Sequence, residues 1–399
     1  DRLYLWGGKD FADVTGARKL SAKSAASAWA DFDADGKLDL ASWDGAALTV
    51  HLQGADGFGG KKIGAGFKPE GKVLSLLAVD AGVKGKPGLL VGTEKGPVLL
   101  TPAGDGFKAA ALAAPPADLG AASPPVVADL DGDGLYDVLQ PFEKDGVVWK
   151  GKGGGKFDAP VKVGVGSGKG VTRCCTGDYD ADGLLDVYMV GADCVRFWSN
   201  KGKLKFVDSF GHSGEMCYTA QPGGSGAGTC DLNNDGLQDI WITYASEAVH
   251  HYFNRGYRSF GKSLSTIWEN QDVQADTAPG QQAGVFEDLN GDGGQDMALV
   301  FKTGEVLVYL REVWEDEPPL SVRAVLAPKS PCAGPITVTG WNDKRCLGSW
   351  NLTAGSAGAL FCLAAPGKVK LKWKFPGGKE QTKTIELEEE REVLKITGE

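Results

Sequence analysis

The sequence lacks any segment that could cross a membrane as a helix: no run approaches the roughly 18 consecutive apolar residues that such a helix needs. The chain starts at Asp1 without a methionine, and no charged segment followed by an apolar leader stands at its start, so we interpret it as a mature or trimmed product. A basic excess is also missing, because the formal net charge is −10. That charge argues against nucleic acid or an anionic membrane as the main partner.

Motifs of common enzyme classes are missing as well. No G-x-S-x-G, H-E-x-x-H or phosphate-cradling glycine loop stands out. The four histidines, which have no motif partner, are His51, His212, His250 and His251. His250 and His251 are neighbours in a predicted strand and would face opposite sides, which is typical of packing and surface residues. These absences predict a non-catalytic protein, with a polysaccharide-active enzyme as the remaining catalytic alternative.

Cysteine is present at eight positions with an uneven distribution, which favours an oxidising compartment and disulfide bonds. Five cysteines fall in the middle of the chain and three near its end: Cys174, Cys175, Cys194, Cys217 and Cys230, then Cys332, Cys346 and Cys362. Because both counts are odd, complete pairing needs at least one bridge between the two regions; otherwise each region keeps an unpaired thiol. No cysteine pair has the spacing typical of zinc ligands.

The most informative stretch is the acidic loop DLDGDGLYD at 129–137. Aspartates at its positions 1, 3 and 5 can direct carboxylate oxygens to one point, and Gly134 at position 6 permits a sharp turn. The carbonyl of Leu135 and the carboxylate of Asp137 would complete a shell made only of oxygen. An oxygen-only shell suits calcium.

Near-copies of this loop occur at 31–39, 178–186, 231–239 and 288–296, so the sequence predicts about five structural Ca²⁺ sites. The five loops contain 18 aspartates, and five divalent ions would offset the formal charge of −10. The predicted ligands occupy positions 1, 3, 5, 7 and 9, with position 7 acting through its carbonyl: Asp31, Asp33, Asp35, Lys37 and Asp39; Asp129, Asp131, Asp133, Leu135 and Asp137; Asp178, Asp180, Asp182, Leu184 and Asp186; Asp231, Asn233, Asp235, Leu237 and Asp239; Asp288, Asn290, Asp292, Gly294 and Asp296.

An EF-hand is the obvious alternative for such loops, and two features argue against it. An EF-hand requires a bidentate glutamate at position 12 and a helix on each side. The residues at position 12 are Ser42, Gln140, Met189, Ile242 and Leu299, none of which can act in that way. The flanking segments are rich in β-branched and aromatic residues, which favours a calcium loop inside a β-hairpin.

The spacing of the loops indicates a repeat. Successive loops begin 98, 49, 53 and 57 residues apart, and the midpoint of the first gap, Asp80, opens a segment that we interpret as a sixth unit without metal ligands. Repeats of about 40–50 residues with four strand-like segments each are typical of propeller blades. We predict an all-β fold: a calcium-binding β-propeller of six blades over 1–315, or seven if the first 30 residues contribute a further blade. After a linker rich in charge and proline, a small β-sandwich is predicted over 320–399.

The repeat unit at 126–163 shows the expected blade: strand A (VVAD), the acidic loop, strand B (YDVLQPF), strand C (GVVWK) and strand D (KFDAPVKV). The segments before the loops are rich in small residues, as the crowded inner strands of a propeller require. The N-terminal segments RLYLW and FADVT resemble strands C and D without A and B, whereas the last unit lacks its own D. We therefore expect an N-terminal strand to join the last blade and close the ring.

The repeated DxDxDGxxD hairpin with its 49-residue unit resembles the FG-GAP/VCBS repeat family of integrin-type propellers. The opening RLYLWGGKDFADVTGARKL and the tail KVKLKWKFPGGKEQTKTIEL are similar to proteins that join such repeats to an ASPIC/UnbV module, as in cartilage acidic protein-like proteins. This resemblance implies a calcium-bound scaffold for adhesion or ligand binding. It also implies an exported protein: extracellular, on the cell surface or periplasmic.

Long connections identify the expected binding surface. In a four-stranded blade the A–B metal loops and C–D turns lie on one face, while the B–C and D–A loops lie on the other. The longest D–A connections, 208–228 and 262–284, carry Tyr218 and Trp268, aromatic residues able to stack on sugars or anchor a protein. The alternative is that they pack against their own loops. A lectin of this shape would repeat its aromatic site in each blade, so we favour a protein partner over a surface glycan.

Overall fold

The protein is described by a computed structural model covering residues 1–59, 62–64, 66–193, 195–246, 248–262, 280–311, 320–327, 334–343, 345–353, 356, 358–388 and 391–397. Strands dominate these residues, which confirms the all-β prediction. The only helical segments among them are a 3-10 turn at Phe210–His212 and one short helix, α1, at Met216–Thr219.

The chain begins with a two-stranded hairpin and continues through six small antiparallel sheets. The hairpin strands are β1 (Tyr4–Trp6) and β2 (Phe11–Asp13). Sheet 1 contains β3 (Ala26–Ala30), β4 (Asp39–Trp43), β5 (Leu48–His51) and β6 (Lys62–Gly64). Sheet 2 contains β7 (Val73–Val79), β8 (Gly88–Thr93), β9 (Gly96–Ala103) and β10 (Gly106–Ala111). Sheet 3 contains β11 (Val126–Ala128), β12 (Asp137–Pro141), β13 (Gly146–Trp149) and β14 (Val161–Lys162).

The remaining three sheets follow the same order. Sheet 4 contains β15 (Val171–Gly177), β16 (Asp186–Gly191), β17 (Val195–Asn200) and β18 (Phe206–Asp208). Sheet 5 contains β19 (Gly224–Cys230), β20 (Asp239–Tyr244), β21 (His250–Asn254) and β22 (Phe260–Lys262). Sheet 6 contains β23 (Gln281–Glu287), β24 (Asp296–Phe301) and β25 (Val306–Tyr309). Sheet 2 includes the predicted unit at Asp80.

Each sheet packs its apolar face against the next, and five hydrophobic clusters join sheets 1 to 6 in sequence. The second strands are buried on both faces because they lie between two neighbouring sheets. The first strand β19 contacts both β15 and β23, and β15 and β19 consist largely of small residues, as the prediction for inner strands required, whereas β23 contains Phe286 and Glu287. This is the radial arrangement of a propeller-type fold.

The predicted joining of an N-terminal strand to the last sheet is wrong for the described strands. β1 pairs with β2, while β25 pairs with β24 only. The hairpin closes on itself through a contact between the Trp6 and Phe11 rings, whose centroids are 5.0 Å apart. The segment after it packs on sheet 1, where Leu20, Ala22 and Phe58 form a cluster. Local contacts therefore hold the N-terminus at sheet 1.

Two further sheets follow in the C-terminal region. One contains β26 (Leu320–Leu326), β29 (Ala359–Leu363) and β32 (Glu392–Ile396). The other contains β27 (Ile336–Asn342), β28 (Arg345–Leu352), β30 (Gly367–Lys374) and β31 (Glu380–Leu387). Residues of both sheets share one hydrophobic cluster, so this region has its own core.

The C-terminal region contacts the acidic loops themselves. The Ser349 hydroxyl donates to the carbonyl of Gly183 at 3.0 Å, and the Lys374 ammonium donates to the carbonyl of Asp133 at 2.7 Å. The Asn351 amide donates to the carbonyl of Val127 at 2.6 Å, just before the loop of sheet 3. The acidic-loop face of the sheets is therefore partly covered by the chain's own C-terminal region.

The cysteines do not form the expected bridges in the part of the chain that the structure describes. The free thiols are Cys175, Cys217, Cys230, Cys346 and Cys362, Cys174 is half-buried in β15, and Cys194 and Cys332 lie outside the described residues. The described helices are a few residues long, and none of them has the length or apolarity to cross a membrane.

Candidate metal centres

The five acidic loops join the first and second strands of sheets 1, 3, 4, 5 and 6, and their backbones share one turn. The glycine at position 6 has a positive φ in every loop: Gly36, Gly134, Gly183, Gly236 and Gly293, between 81° and 92°. A side chain is disfavoured in that region, which explains the glycine. The N–H of position 7 donates to the carboxylate of position 5 at 2.8–2.9 Å in all five loops. The loops are thus folded by local hydrogen bonds.

The first aspartate organises the turn in four of the loops. In sheet 3, Asp129 accepts hydrogen bonds from the N–H groups of Asp133 (3.1 Å) and Gly134 (2.7 Å). The same pattern holds Asp31, Asp178 and Asp231. In sheet 6 the first aspartate, Asp288, instead accepts from Gly291 at 2.7 Å.

Three of the loops bring acidic oxygens together closely enough to hold an ion. Within the described residues, groups of three carboxylates offer oxygens that all lie within 4.8 Å of one another: Asp31, Asp33 and Asp39; Asp129, Asp131 and Asp137; Asp178, Asp180 and Asp182. The loops of sheets 5 and 6 have asparagine at position 3. There the amides of Asn233 and Asn290 donate to Asp235 (3.0 Å) and Asp292 (2.8 Å).

The aspartate at position 9 has a role that the sequence did not reveal. Asp137 is fully buried, and its two oxygens accept from the N–H of Leu130 at 3.0 Å and of Gly151 at 2.8 Å. Equivalent pairs of bonds are made by Asp39, Asp186, Asp239 and Asp296. Each of these carboxylates ties the acidic loop to the backbone that follows the third strand.

Burial makes these carboxylates reluctant to ionise without a cation. Desolvation raises the pKa of Asp137, Asp178 and Asp231 to about 7, and that of Asp39 and Asp296 to about 6, despite backbone hydrogen bonds that favour the charged form. A bound divalent ion reverses this effect because it stabilises the carboxylates as anions.

Basic side chains lie beside the carboxylates. The Lys150 ammonium contacts Asp131 and is 3.0 Å from Asp133, and this pairing raises the pKa of Lys150. Lys201 and Arg258 each lie 3.5 Å from Asp180, and Arg323 lies 3.5 Å from Asp288. These cations offset part of the negative charge, and a divalent ion in the loop of sheet 3 would compete with Lys150 for the same oxygens.

The residues fit a hard divalent cation. In sheet 4, one carboxylate oxygen of Asp180 is buried and has no hydrogen-bond partner among the described residues. Such a group needs a partner, and a cation between Asp178, Asp180 and Asp182 would supply it. The donor set contains only oxygen, which suits Ca²⁺ rather than a thiophilic metal.

The raised pKa values predict that the metal-free protein loses stability as the pH rises, and that calcium stabilises the protein more at high pH than at low pH. A carboxyl group with a folded pKa near 7, above its unfolded value of about 3.9, stabilises the fold at low pH and loses that contribution as the pH rises through 7. We therefore expect the melting temperature in chelator to fall between pH 5 and pH 8. The increase in melting temperature caused by calcium should grow over the same range, because the ion binds the deprotonated form. Calorimetry with and without calcium tests this, and a calcium effect independent of pH would contradict it.

A second set of residues that sequence reasoning missed links neighbouring sheets. The Asn200 amide donates to the carbonyl of Leu130 at 2.8 Å, so sheet 4 is tied to the acidic loop of sheet 3. Asn254 repeats the contact with Tyr179 at 3.0 Å, and Arg311 repeats it with Leu232 at 2.8 Å. The repeated Asn-x-Gly after the third strand was the available sequence signal.

Two thiols from the C-terminal region also enter the loop environment. Cys346 Sγ lies 3.6 Å from Asp178, and Cys362 Sγ lies 3.8 Å from the Asn234 side chain. Burial is the main cause that raises the pKa of both thiols, and the nearby aspartates add to it. They are neutral packing groups at physiological pH.

The predicted ligand residues and the histidines have different surroundings. Tyr218 lies on α1 and is 83% exposed, so it does not pack against its own loop, whereas Trp268 lies outside the described residues.

His250 and His251 are both buried, and burial lowers the pKa of each to about 4. Ser42 Oγ and His51 Nε2 are 3.0 Å apart, but both side chains are buried inside sheet 1, away from any substrate.

Comparisons with known proteins identify the fold but not a family. No family model and no curated protein matches the chain. Among solved structures, the chain is similar to an Agrocybe aegerita lectin that recognises non-reducing terminal N-acetylglucosamine, with a TM-score of 0.52 and 19% identity over 71% of this chain and 79% of the lectin chain. It is also similar to the BBS1 N-terminal domain solved in complex with ARL6, with a TM-score of 0.44 and 12% identity over 75% of this chain and 83% of the BBS1 chain. A third similar structure is PorZ of Porphyromonas gingivalis, with a TM-score of 0.42 and 11% identity over 96% of this chain and 55% of the PorZ chain.

Proposed function

We propose that this chain is an exported, calcium-stabilised β-propeller of six blades with a C-terminal β-sandwich, and that it is a non-catalytic scaffold for protein interaction or adhesion. The convergence of three carboxylates in each of three loops, with an unpartnered buried oxygen on Asp180, carries the calcium assignment. Calcium at extracellular concentration would hold such sites, since extracellular modules bind it with Kd values of about 10⁻⁴–10⁻³ M. The resemblance to FG-GAP/VCBS repeats supports the same proposal.

The face opposite the acidic loops supports the binding role. The connection between β18 and β19 is the longest one between these sheets whose residues are all described, and it presents Tyr218 almost fully to solvent. A large exposed aromatic side chain on a loop held by a rigid scaffold is typical of an interface anchor. The acidic-loop face is partly covered by the C-terminal region, which leaves the opposite face for a macromolecular partner.

Replacement of Tyr218 tests that assignment. We expect the biotinylated full chain, loaded with calcium, to capture a surface protein of the source organism, and Tyr218→Ala to weaken that complex by about tenfold or more, as loss of an aromatic anchor does. Tyr257→Ala is the matched control, because Tyr257 is 92% exposed in the turn between β21 and β22, on the other face. Equal capture by all three proteins, measured by surface plasmon resonance on the isolated partner, would refute the Tyr218 interface.

Carbohydrate binding is the second candidate. It is favoured by the similarity to a lectin that recognises N-acetylglucosamine, at a TM-score of 0.52. A glycan array with the wild-type chain and with Tyr218→Ala distinguishes the two candidates. A scaffold for protein partners gives no saturable glycan binding that depends on Tyr218.

A further inference from the structure

A cavity lies between the acidic loops and the C-terminal region. Its volume is about 300 Å³, and its walls come from the loops of sheets 3 and 4 on one side and from β27, β30 and β31 on the other. That volume is at the lower end of the range for ligand pockets, about 300–1,000 Å³, and suits one or two sugar rings. The cavity is open over the loop of sheet 3, where a Cβ added to Gly132 would meet no atom within 4 Å.

One polar group in the wall lacks a partner. The Thr337 hydroxyl is buried without a hydrogen-bond partner in the described part of the chain. Thr337 and Thr339 lie on the same face of β27, and Thr339 is paired with Lys372 of β30, so the hydroxyl and the ammonium share one face of the sheet. Buried polar groups are nearly always satisfied, so the Thr337 hydroxyl is the group that a bound molecule would satisfy, and a ligand with several hydroxyl groups can exchange hydrogen bonds with it.

The rest of the wall selects the class of ligand. The Trp341 ring lines the cavity beside Gly183, where a Cβ would lie 3.9 Å from the ring, an ordinary van der Waals distance. An aromatic ring beside hydroxyl groups is the usual surface for stacking a sugar. Leu184 is the one aliphatic side chain among the described lining residues, which disfavours a lipid or another purely apolar ligand.

The charges in the wall select an anion, provided that calcium fills the loops as proposed above. Asp129 and Asp182 would then be neutralised by their ions, which leaves the ammonium groups of Lys372 and Lys374 against the single carboxylate of Glu380. Lys372 lies 3.9 Å from Glu380, and both side chains are partly exposed, so the ammonium remains available. A carboxylate on the ligand would complete this arrangement.

We propose that the interdomain cavity is a binding site for an acidic saccharide, a uronate, held by the Trp341 ring, Thr337 and Lys372. The site is separate from the Tyr218 face. Its assignment rests on the proposed calcium loading only for the preference for an anion, because the Trp341 ring and the unpartnered Thr337 hydroxyl are present in either state.

Calorimetric titration of the full chain with galacturonate and digalacturonate in millimolar Ca²⁺, with galactose as the neutral probe, tests the site. We expect saturable one-to-one binding of the uronates, with galactose weaker by about tenfold through loss of the ion pair. Trp341→Ala and Thr337→Val should each weaken binding by about fivefold to tenfold. Thr337→Val removes a buried hydroxyl without a partner and should leave the melting temperature unchanged or raised. Lys372→Gln should remove the preference for uronate, while Lys368→Gln, four residues away on the same strand, is the control.

Absence of uronate binding in the folded, calcium-loaded chain overturns the proposal. Uronate binding that Trp341→Ala and Thr337→Val leave unchanged also overturns it. A third contrary result is that no sugar binds, whereas a glutamate-rich peptide binds and is weakened by the same two substitutions. Titration of calcium into the same preparation separates this failure from that of the calcium proposal. If no calcium binds, the ring and hydroxyl variants measured without calcium still decide whether a sugar occupies the cavity.

Discussion

Removal of calcium is expected to lower the melting temperature by about 15 °C. At a tenfold excess of free ion over Kd, one site contributes about 1.4 kcal/mol by mass action, and five sites contribute about 7 kcal/mol. For a large domain, each kcal/mol corresponds to about 2 °C or more. Without the ion, the half-buried carboxylates of Asp129 and Asp131 and the buried carboxylate of Asp137 repel one another in the loop that joins the paired strands β11 and β12.

Differential scanning calorimetry with and without a chelator measures the effect, and elemental analysis establishes that the metal is gone. Restored calcium should recover the original melting curve. Magnesium should recover less, because it demands near-ideal octahedral geometry and dehydrates reluctantly. A melting curve that does not change after verified metal removal contradicts the structural role of the ions.

The C-terminal region should respond to the same treatment. It is held partly through loop carbonyls, those of Gly183 and Asp133, which accept from Ser349 and Lys374. Gln238 adds a bridge: its amide donates to the carbonyl of Ser349 at 3.0 Å, and its oxygen accepts from the N–H of Asp178. Disorder in the loops would move these acceptors, so hydrogen exchange in β27 and β28 should increase on chelation.

Local chemistry explains why much of the fold could be predicted from the sequence. The strand predictions for the unit at 126–163 agree closely with β11, β12 and β13, because alternation and glycine turns specify hairpins through near neighbours. The unit at Asp80 was found from the spacing of the loops and from its apolar flanks, although it lacks the carboxylates. The predicted last strand of the unit at 126–163 is longer than the observed β14 (Val161–Lys162), which has few partners on the outer edge.

Contacts to backbone atoms explain what could not be predicted. The C-terminal region is anchored to the carbonyls of Asp133, Gly183 and Val127, and a carbonyl is the same group in every residue. The second role of Asp137 was hidden for a similar reason, since its partners are the N–H groups of Leu130 and Gly151. The cavity and its uronate site follow from that docking and have no signal of their own in the sequence.

Replacement of Asp137 by asparagine is expected to destabilise the protein even in the absence of calcium. Asparagine offers one acceptor oxygen and one NH₂ group, so one of the N–H groups of Leu130 and Gly151 would face another donor in a fully buried site. Loss of one charge-assisted bond and burial of an unsatisfied N–H should cost about 3 kcal/mol, or about 6 °C in melting temperature. Chemical denaturation in chelator at pH 8, where the wild-type carboxylate is ionised, measures the change.

Asp133→Asn is the matched control in the same loop. The Asp133 carboxylate accepts one loop hydrogen bond from the N–H of Leu135, at 2.8 Å, which an amide oxygen can also accept, and its side chain is about one-third exposed. The variant also removes the ion pair with Lys150, at 3.0 Å, which contributes little because both side chains are about one-third exposed. It should therefore weaken calcium binding yet leave the metal-free stability nearly unchanged, because loss of that ion pair and relief of repulsion between the loop carboxylates oppose each other. If Asp137→Asn and Asp133→Asn behave alike in chelator, position 9 acts only as a metal ligand. If Asp137→Asn lowers the stability of the metal-free protein more than Asp133→Asn does, Asp137 stabilises the fold through the hydrogen bonds that connect the acidic loop to the third strand.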